Sequence, residues 1–297
     1  MTGTTDARTT ASTDEIVGPL RRSVNAASGA KGSIHDDDTA QNLGLRGGTV
    51  AGSVHLDLFP PLLVDAFGQR WFETGSVSIN FRNPTVDREP VRAIIGRPPA
   101  GAADAQVAAR IEREDGMLVG EGTAAVGRPG QPSALRSLDL SRFAGGELKI
   151  LAGVSGGEAI APVEVEVGRH RQQAMIDGGL VTEVLPWYGG DSPWGGPIAL
   201  PQISVHYLYQ VGANHLGRKV AATGGGVGLF GAIELFQKRG PLMLDRTYTM
   251  SGTVLAVGQS PRTEYAWFEV EAADEAGPVS GLVMQLRWMK ASSPQYR

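Results

Sequence analysis

The sequence predicts an α+β protein made of two tandem repeats, each a central helix wrapped by an antiparallel sheet. The first observation is a pattern that occurs twice, at 46–59 and 192–211: a glycine pair, a small apolar step, then Ser-Val-His inside an apolar run. The second is that strand-like runs follow each copy. Repeats this long indicate a duplicated domain rather than a solenoid of short units.

The composition narrows the class of protein. The 297 residues are 41% hydrophobic and 20% charged, which suffices for a core without covalent staples. A net charge of −4 without a basic run argues against a nucleic-acid partner. Cysteine is absent, which excludes disulfides, thiolate catalysis and cysteine metal ligands. No apolar run reaches the roughly 18 residues that span a bilayer, and the N-terminal segment lacks an apolar signal core. We therefore expect a cytoplasmic protein without a membrane partner.

The chain divides by composition into four segments. Residues 1–15 are polar and rich in threonine, which predicts a disordered lead-in. Residues 16–126 form the first repeat and 150–297 the second, and the Gly-, Pro- and Ser-rich stretch 127–149 is the predicted linker. Two such units most simply pair their sheets edge to edge, which makes a pseudo-dimer within one chain. A further homodimer remains open.

The first repeat shows helix signals and then strand signals. A short helix is predicted around 37–43, and a buried helix from Gly52 to about Gly68. Pro60 and Pro61 each lack a backbone donor, so this helix must kink there or restart with a proline in its first turn.

The strands are predicted from alternation and turn residues. Apolar and polar residues alternate over 76–81, which predicts a strand with one wet face. The runs 105–113 and 117–126 flank Asp115-Gly116, a strong hairpin signal. In the second half, strands are predicted at about 262–272 and 279–289.

The leading candidate site lies just before the first central helix. His35 stands in an acidic run, and imidazole titrates close to neutral pH, which suits a general base. Asp37 is a candidate carboxylate to orient it, although Asp also favours helix starts. Gly52 begins the helix, where free N–H groups can bind an oxygen that gains negative charge. Tight packing is the alternative reason for this glycine.

Further candidates have weaker support, and each has a structural alternative. Tyr188 is a candidate acid in the second repeat. The candidate substrate-binding residues are His55, Asn80, Arg82, Trp187, Asp191, Trp194 and His206. The histidines could be satisfied core residues, the strand residues could face water, and the aromatic residues could form a core wall. The five histidines lack metal-ligand spacing, and 224–228 lacks the residues of a phosphate loop, so no metal and no cofactor is predicted.

Two segments carry a resemblance to a known family: IHDDDTAQNLGLRGGTVAG (34–52) and PWYGGDSPWGGPIALP (186–201). They resemble the MaoC-like double hotdog proteins, which include R-specific enoyl-CoA hydratases and 3-hydroxyacyl dehydratases. The resemblance implies a double hotdog fold over roughly 16–126 and 150–290. It also implies a lyase that adds or removes water, or a similar group, alpha-beta to a carbonyl. The implied substrate is a small molecule, by default an acyl-CoA or acyl-carrier thioester.

The family's hydratase motif, Asp-x-Asn-Pro-x-His, is incomplete in this chain. His35 falls on the motif's histidine, whereas its Asp, Asn and Pro fall on Ala30, Gly32 and Ser33. In the second repeat Tyr188 stands in place of the histidine. Neither repeat holds the full Asp–His pair, so the resemblance implies an altered acid–base arrangement. Two other functions stay open: a repurposed cyclase or isomerase for a specialised metabolite, and a non-catalytic binding or partner subunit.

Overall fold

The computed structural model describes residues 14–143 and 146–296. The predicted disordered segment 1–15 therefore lies outside the described residues as far as residue 13. Its last residue, Glu15, belongs to a strand instead, because it pairs with Gly96 in the sheet.

The first half begins with two short strands, continues with short helices and ends in a run of antiparallel strands. Its strands are β1 (Glu15–Val17), β2 (Arg21–Arg22), β3 (Gly75–Phe81), β4 (Pro90–Gly96), β5 (Ala105–Arg113) and β6 (Leu118–Val126). Its helices are α1 (Asp37–Asn42), α2 (Gly52–His55), α3 (Pro60–Phe67) and α4 (Arg70–Thr74). The hairpin predicted at Asp115-Gly116 joins β5 to β6, and Gly116 has the positive φ of 81° that its turn requires.

The second half has the same plan with longer elements. Its strands are β7 (Ala159–Glu166), β8 (Gly228–Gln237), β9 (Thr247–Gln259), β10 (Thr263–Asp274) and β11 (Gly277–Met289). Its helices are α5 (Arg169–Asp177) and α6 (Pro201–Ala222), and single 3-10 turns include Leu56–Leu58 and Pro186–Tyr188. The strands predicted at about 262–272 and 279–289 correspond to β10 and β11.

The strands form one antiparallel sheet in the order β1-β4-β5-β6-β3-β8-β11-β10-β9-β7, with β2 paired to β4. The two halves meet where β3 pairs with β8, from Ser76 opposite Phe236 to Asn80 opposite Ala232. This contact confirms the predicted edge-to-edge pairing of the two sheets. Its consequence is that each half loses an open edge at the centre of the molecule.

The central helices differ between the halves because of the two prolines. The first helix passes from α2 into a 3-10 turn and restarts at Pro60, the first residue of α3. A proline is tolerated there because its missing N–H would have no helical partner anyway. The second helix, α6, also starts with a proline but runs unbroken for 22 residues.

The sheet is covered on both faces. The main core lies between the sheet and the helices, and a smaller apolar cluster lies on the outer face, made of Leu135, Ala232, Phe236, Tyr265, Trp267 and Val283. The strand at 76–81 was predicted to have one wet face, and this was wrong for Ser78, which is fully buried. The physical reason is the segment 127–149, which crosses the outer face so that Leu135 N donates to Ser78 Oγ at 3.1 Å.

Candidate active site

A cavity of about 470 Å³ opens where the two halves of the sheet separate. The pairing of β3 with β8 stops at Asn80 and Ala232, and the residues beyond it, Phe81 and Gly228–Gly231, line the cavity. The segment before α2 lines the opposite wall. The volume suits a small-molecule ligand.

His35 lines this cavity with a defined ring orientation. Its Nδ1 lies 2.7 Å from the Thr49 carbonyl oxygen, and a carbonyl oxygen can only accept a hydrogen bond. Nδ1 therefore carries a proton, and the neutral ring has its lone pair on Nε2. The backbone is fixed as well, because Asn25 Nδ2 donates to the His35 carbonyl oxygen at 2.8 Å.

The acidic residues around His35 serve the local backbone. Asp37, predicted as a catalytic carboxylate, accepts from Gly48 N at 2.7 Å and so holds the glycine turn. Asp36 caps α1 through Thr39, and its bonds to Lys31 and Thr39 lower the pKa of its carboxyl to about 2. No Asp or Glu occurs among the described residues that line the cavity. The His35 ring thus lacks a carboxylate partner within the described part of the chain.

Gly52 lies at the start of α2 and lines the cavity. A Cβ at this position would lie 2.7 Å from the Phe81 ring, so packing alone already requires a glycine. Its N–H belongs to the first turn and therefore has no partner within the helix. Both explanations given from the sequence, packing and an oxygen-binding N–H, are compatible with this position.

His55 also lines the cavity, but both of its ring nitrogens are engaged. Nε2 lies 2.8 Å from Thr85 Oγ1, and Nδ1 lies 3.4 Å from Ser23 Oγ. Burial lowers the pKa of His55 to about 4, so the ring is neutral at pH 7. This is the geometry of a satisfied core histidine.

Tyr209 and Arg287 line the cavity but were not predicted from the sequence. Tyr209 of α6 is half-buried and stacks edge-on against Phe230, with ring centroids 5.1 Å apart. Its hydroxyl has no hydrogen-bond partner among the described residues, and burial raises its pKa, so it stays protonated. Arg287 reaches the cavity from β11. Tyr209 lies three residues after His206 on α6, but His206 does not line the cavity. Neither Tyr209 nor Arg287 therefore has a signal in the sequence.

The second repeat has a counterpart of the His35 position. Gln172 Nε2 donates to the Tyr188 carbonyl oxygen at 2.6 Å, as Asn25 Nδ2 does to that of His35. Tyr188 thus occupies the equivalent backbone site. Its environment nevertheless differs, because its side chain is buried and its hydroxyl lacks a hydrogen-bond partner among the described residues. Burial holds the pKa of Tyr188 well above its usual range.

An aromatic cluster surrounds Tyr188 in the second repeat. Phe72 of α4 contacts Trp187, Tyr188 and Trp194, with ring centroids 5.7, 6.5 and 5.5 Å away. These residues do not line the His35 cavity. The arrangement matches the core-wall alternative for Trp187 and Trp194, and it gives no support to Tyr188 as an acid.

The remaining candidates are dispersed. His206 is the sixth residue of α6 whereas His55 is the fourth of α2, so the two histidines are not equivalent, and burial lowers the pKa of His206 to about 4. Asn80 lines a separate cavity beneath the segment 127–149, and Asp191 is exposed. Of the four candidates Asn80, Arg82, Asp191 and His206, only Arg82 lines the His35 cavity.

The described residues include neither a metal-binding cluster nor a membrane-spanning helix. They contain no group of three or more His, Asp or Glu side chains arranged to hold a metal ion. None of the helices in residues 14–143 and 146–296 has the length and apolar character needed to cross a membrane.

Comparisons with known proteins place the fold. No protein-family model and no curated protein matches the sequence. A solved MaoC domain dehydratase from Chloroflexus aurantiacus matches with a TM-score of 0.59 at 12% identity, over 93% of this chain and 94% of that one. A double hotdog protein from Mycobacterium tuberculosis gives 0.58 at 12%, over 93% and 97%. A MaoC-like dehydratase gives 0.54 at 13%, over 93% and 97%.

These matches confirm the predicted fold class and the resemblance to MaoC-like double hotdog proteins at the level of fold. The α+β architecture and the large antiparallel sheet agree with them. At 12–13% identity, the similarity shows the fold alone.

Proposed function

We propose that this protein is a hydro-lyase of the enoyl hydratase/dehydratase type in which His35 is the single acid–base residue. The proposed substrate is a 3-hydroxyacyl or enoyl thioester of CoA or an acyl carrier. The observation that carries the proposal is the bond from His35 Nδ1 to the Thr49 carbonyl oxygen, at 2.7 Å, in a cavity without Asp or Glu among its described lining residues. This bond leaves Nε2 as the nitrogen able to take a proton.

One histidine suffices for elimination because it can first accept a proton as a base and then donate the same proton as an acid. Nε2 of His35 takes the proton from the carbon next to the carbonyl, and the electron pair forms an enolate. The bond from the third carbon to its hydroxyl then breaks as the carbon–carbon double bond forms. Nε2 returns its proton to the departing hydroxide, which leaves as water. Hydration is the reverse sequence, and the imidazole is unchanged at its end.

Charge on the enolate oxygen needs a donor. The Gly52 N–H is unpartnered within the helix and lies in the cavity wall, so it is the proposed donor. The Tyr209 hydroxyl is protonated and free of protein partners among the described residues, and it is the proposed hydrogen-bond donor to the departing oxygen. Two of the matching structures are dehydratases of MaoC type, which supports the choice of reaction class.

A second candidate function is an isomerase or cyclase for a specialised metabolite. The specific observation in its favour is again the missing carboxylate, because moving one proton along a substrate requires only one base. This function shares the first step of the elimination described above, which is removal of the proton next to a carbonyl. It differs in that no water enters or leaves.

The test is incubation of the protein with crotonyl-CoA and 3-hydroxybutyryl-CoA, followed by mass spectrometry. The proposal predicts gain or loss of one water, and loss of that activity by roughly a hundredfold or more in His35→Gln. His170→Gln is the matched control, because His170 is exposed on α5. Rearrangement without a change of mass supports the isomerase. An activity unchanged by His35→Gln contradicts both functions.

A further inference from the structure

The His35 cavity crosses the sheet from one face to the other. His35, Gly52 and Tyr209 reach it from the helix side. Arg287 reaches it from the outer side, because it stands opposite Tyr265 in the sheet and Tyr265 belongs to the outer apolar cluster. A ligand that fills the gap between β3 and β8 therefore has one end near the imidazole and the other near a guanidinium.

A bulge in β8 makes room for this guanidinium. Gln285 pairs with Ala232 and Leu286 with Phe230, so Gly231 between them has no partner strand residue. A Cβ on Gly231 would overlap both Gln285 Oε1 and Arg287 Nε. Bulges of this kind redirect side chains next to functional sites. The missing side chain at Gly231 is thus what allows Arg287 to lie across the strand.

The charge of Arg287 is unbalanced. Two cations line the cavity in the described part of the chain, Arg82 and Arg287. Arg82 is neutralised by Glu121 at 3.0 Å. Among the described residues, Arg287 donates one hydrogen bond, to the neutral Gln285 Oε1 at 2.6 Å, and has no carboxylate partner. Burial lowers its pKa, a sign that the cation is partly desolvated.

We infer that Arg287 binds an anionic oxygen group of the substrate at the outer end of the cavity. A guanidinium fork matches a carboxylate or a phosphate with two parallel hydrogen bonds, and a desolvated cation gains most from such a partner. This inference rests on the proposed function for the reactive end of the substrate, but it concerns binding alone. The anion has two possible sources: a carboxylate on the acyl group, or a phosphate of the carrier.

The test is calorimetric binding to the full chain, in a His35→Gln background so that no turnover occurs. Three probes separate the sources: coenzyme A, glutaryl-N-acetylcysteamine and its neutral methyl ester. We expect at least one anionic probe to bind about tenfold or more tightly than the neutral ester. Preference for coenzyme A identifies the phosphate, and preference for the glutaryl probe identifies the carboxylate. Equal binding of all three, or binding of none, overturns the inference.

Variants assign the preference to the residue. Arg287→Gln should abolish it, whereas Arg218→Gln should keep it, because Arg218 is exposed on α6 and outside the cavity. Gly231→Ala should weaken it without removing a charge, because the new Cβ displaces the guanidinium together with Gln285, the group that holds it. This second variant keeps the test decisive if Arg287→Gln does not fold. An anion preference that survives both variants overturns the inference. If the wild-type protein shows the anion preference but no turnover, the inference stands and the proposed reaction fails.

Discussion

The His35 imidazole donates its Nδ1 proton to the Thr49 carbonyl oxygen, 2.7 Å away. The hydratase motif of the MaoC-like proteins pairs its histidine with an aspartate. In this protein a backbone carbonyl fixes the ring instead, and the described lining residues include no Asp or Glu. The bond has a consequence for the tautomer, because it assigns the proton of the neutral ring to Nδ1.

We therefore predict that neutral His35 is the Nδ1–H tautomer. Nitrogen-15 NMR of histidine-labelled protein above pH 8 should show the shift of an unprotonated nitrogen at Nε2 of this residue. The His35→Gln spectrum provides the assignment, because it lacks that signal. An unprotonated Nδ1 would remove the basis for placing the reactive lone pair in the cavity.

Tyr209→Phe tests the hydroxyl in the cavity. The loss of one hydrogen bond to the departing oxygen should lower kcat by about tenfold. The melting temperature should change little, because the hydroxyl has no protein partner among the described residues. Tyr207→Phe is the control. The Tyr207 hydroxyl lies outside the cavity and donates to the Gly168 carbonyl oxygen at 3.3 Å. Equal kinetics in wild type and Tyr209→Phe would exclude the proposed role.

Gly52→Ala tests packing at the start of α2. The added Cβ would lie 2.7 Å from the Phe81 ring, and overpacking of this kind costs about 1–3 kcal/mol. Denaturant unfolding should show this loss, and Phe81→Leu should restore part of it in the double variant. Gly217→Ala on α6 meets nothing within 4 Å and should gain up to about 1 kcal/mol instead. Equal effects of the two alanines would contradict this account.

Asp57 makes the contact between the two central helices sensitive to pH. It is buried and accepts hydrogen bonds from the backbone N–H of Gln202, at 2.9 Å, and from its side chain. Burial raises the pKa of Asp57 from its ordinary 3.8 to about 7. Between pH 4 and 7 the folded protein thus keeps a proton that the unfolded chain releases, so this group lowers the free energy of unfolding as pH rises.

We predict that Asp57→Asn removes this slope. Relative to wild type, the variant should gain about 2–4 kcal/mol of stability between pH 4 and pH 8, measured by urea unfolding. His55, with its pKa lowered to about 4, contributes the opposite slope between pH 4 and 6.5, but it is present in both proteins and cancels in the difference. A difference in stability that does not change with pH would refute the prediction.

The fold could be predicted because its signals are local or repeated. The restart at Pro60 follows from a missing N–H, and the β5–β6 hairpin from Asp115-Gly116. Of the site, the sequence predicts the positions that the repeated backbone fixes, namely His35 and its counterpart Tyr188 before the two central helices. The packing role of Tyr188 could not be predicted from the sequence, because it depends on a contact with Phe72 of the other repeat. Arg287 depends on a bulge that appears only once β8 and β11 are paired.

Exchange of the proton next to the carbonyl isolates the single step that we assign to His35. Butyryl-CoA, which has no hydroxyl to lose, is incubated with the protein in D₂O, and deuterium at the second carbon is followed by mass spectrometry. We expect exchange by wild type and by His170→Gln, with a loss of roughly a hundredfold or more in His35→Gln. Exchange at the wild-type rate in His35→Gln would contradict it.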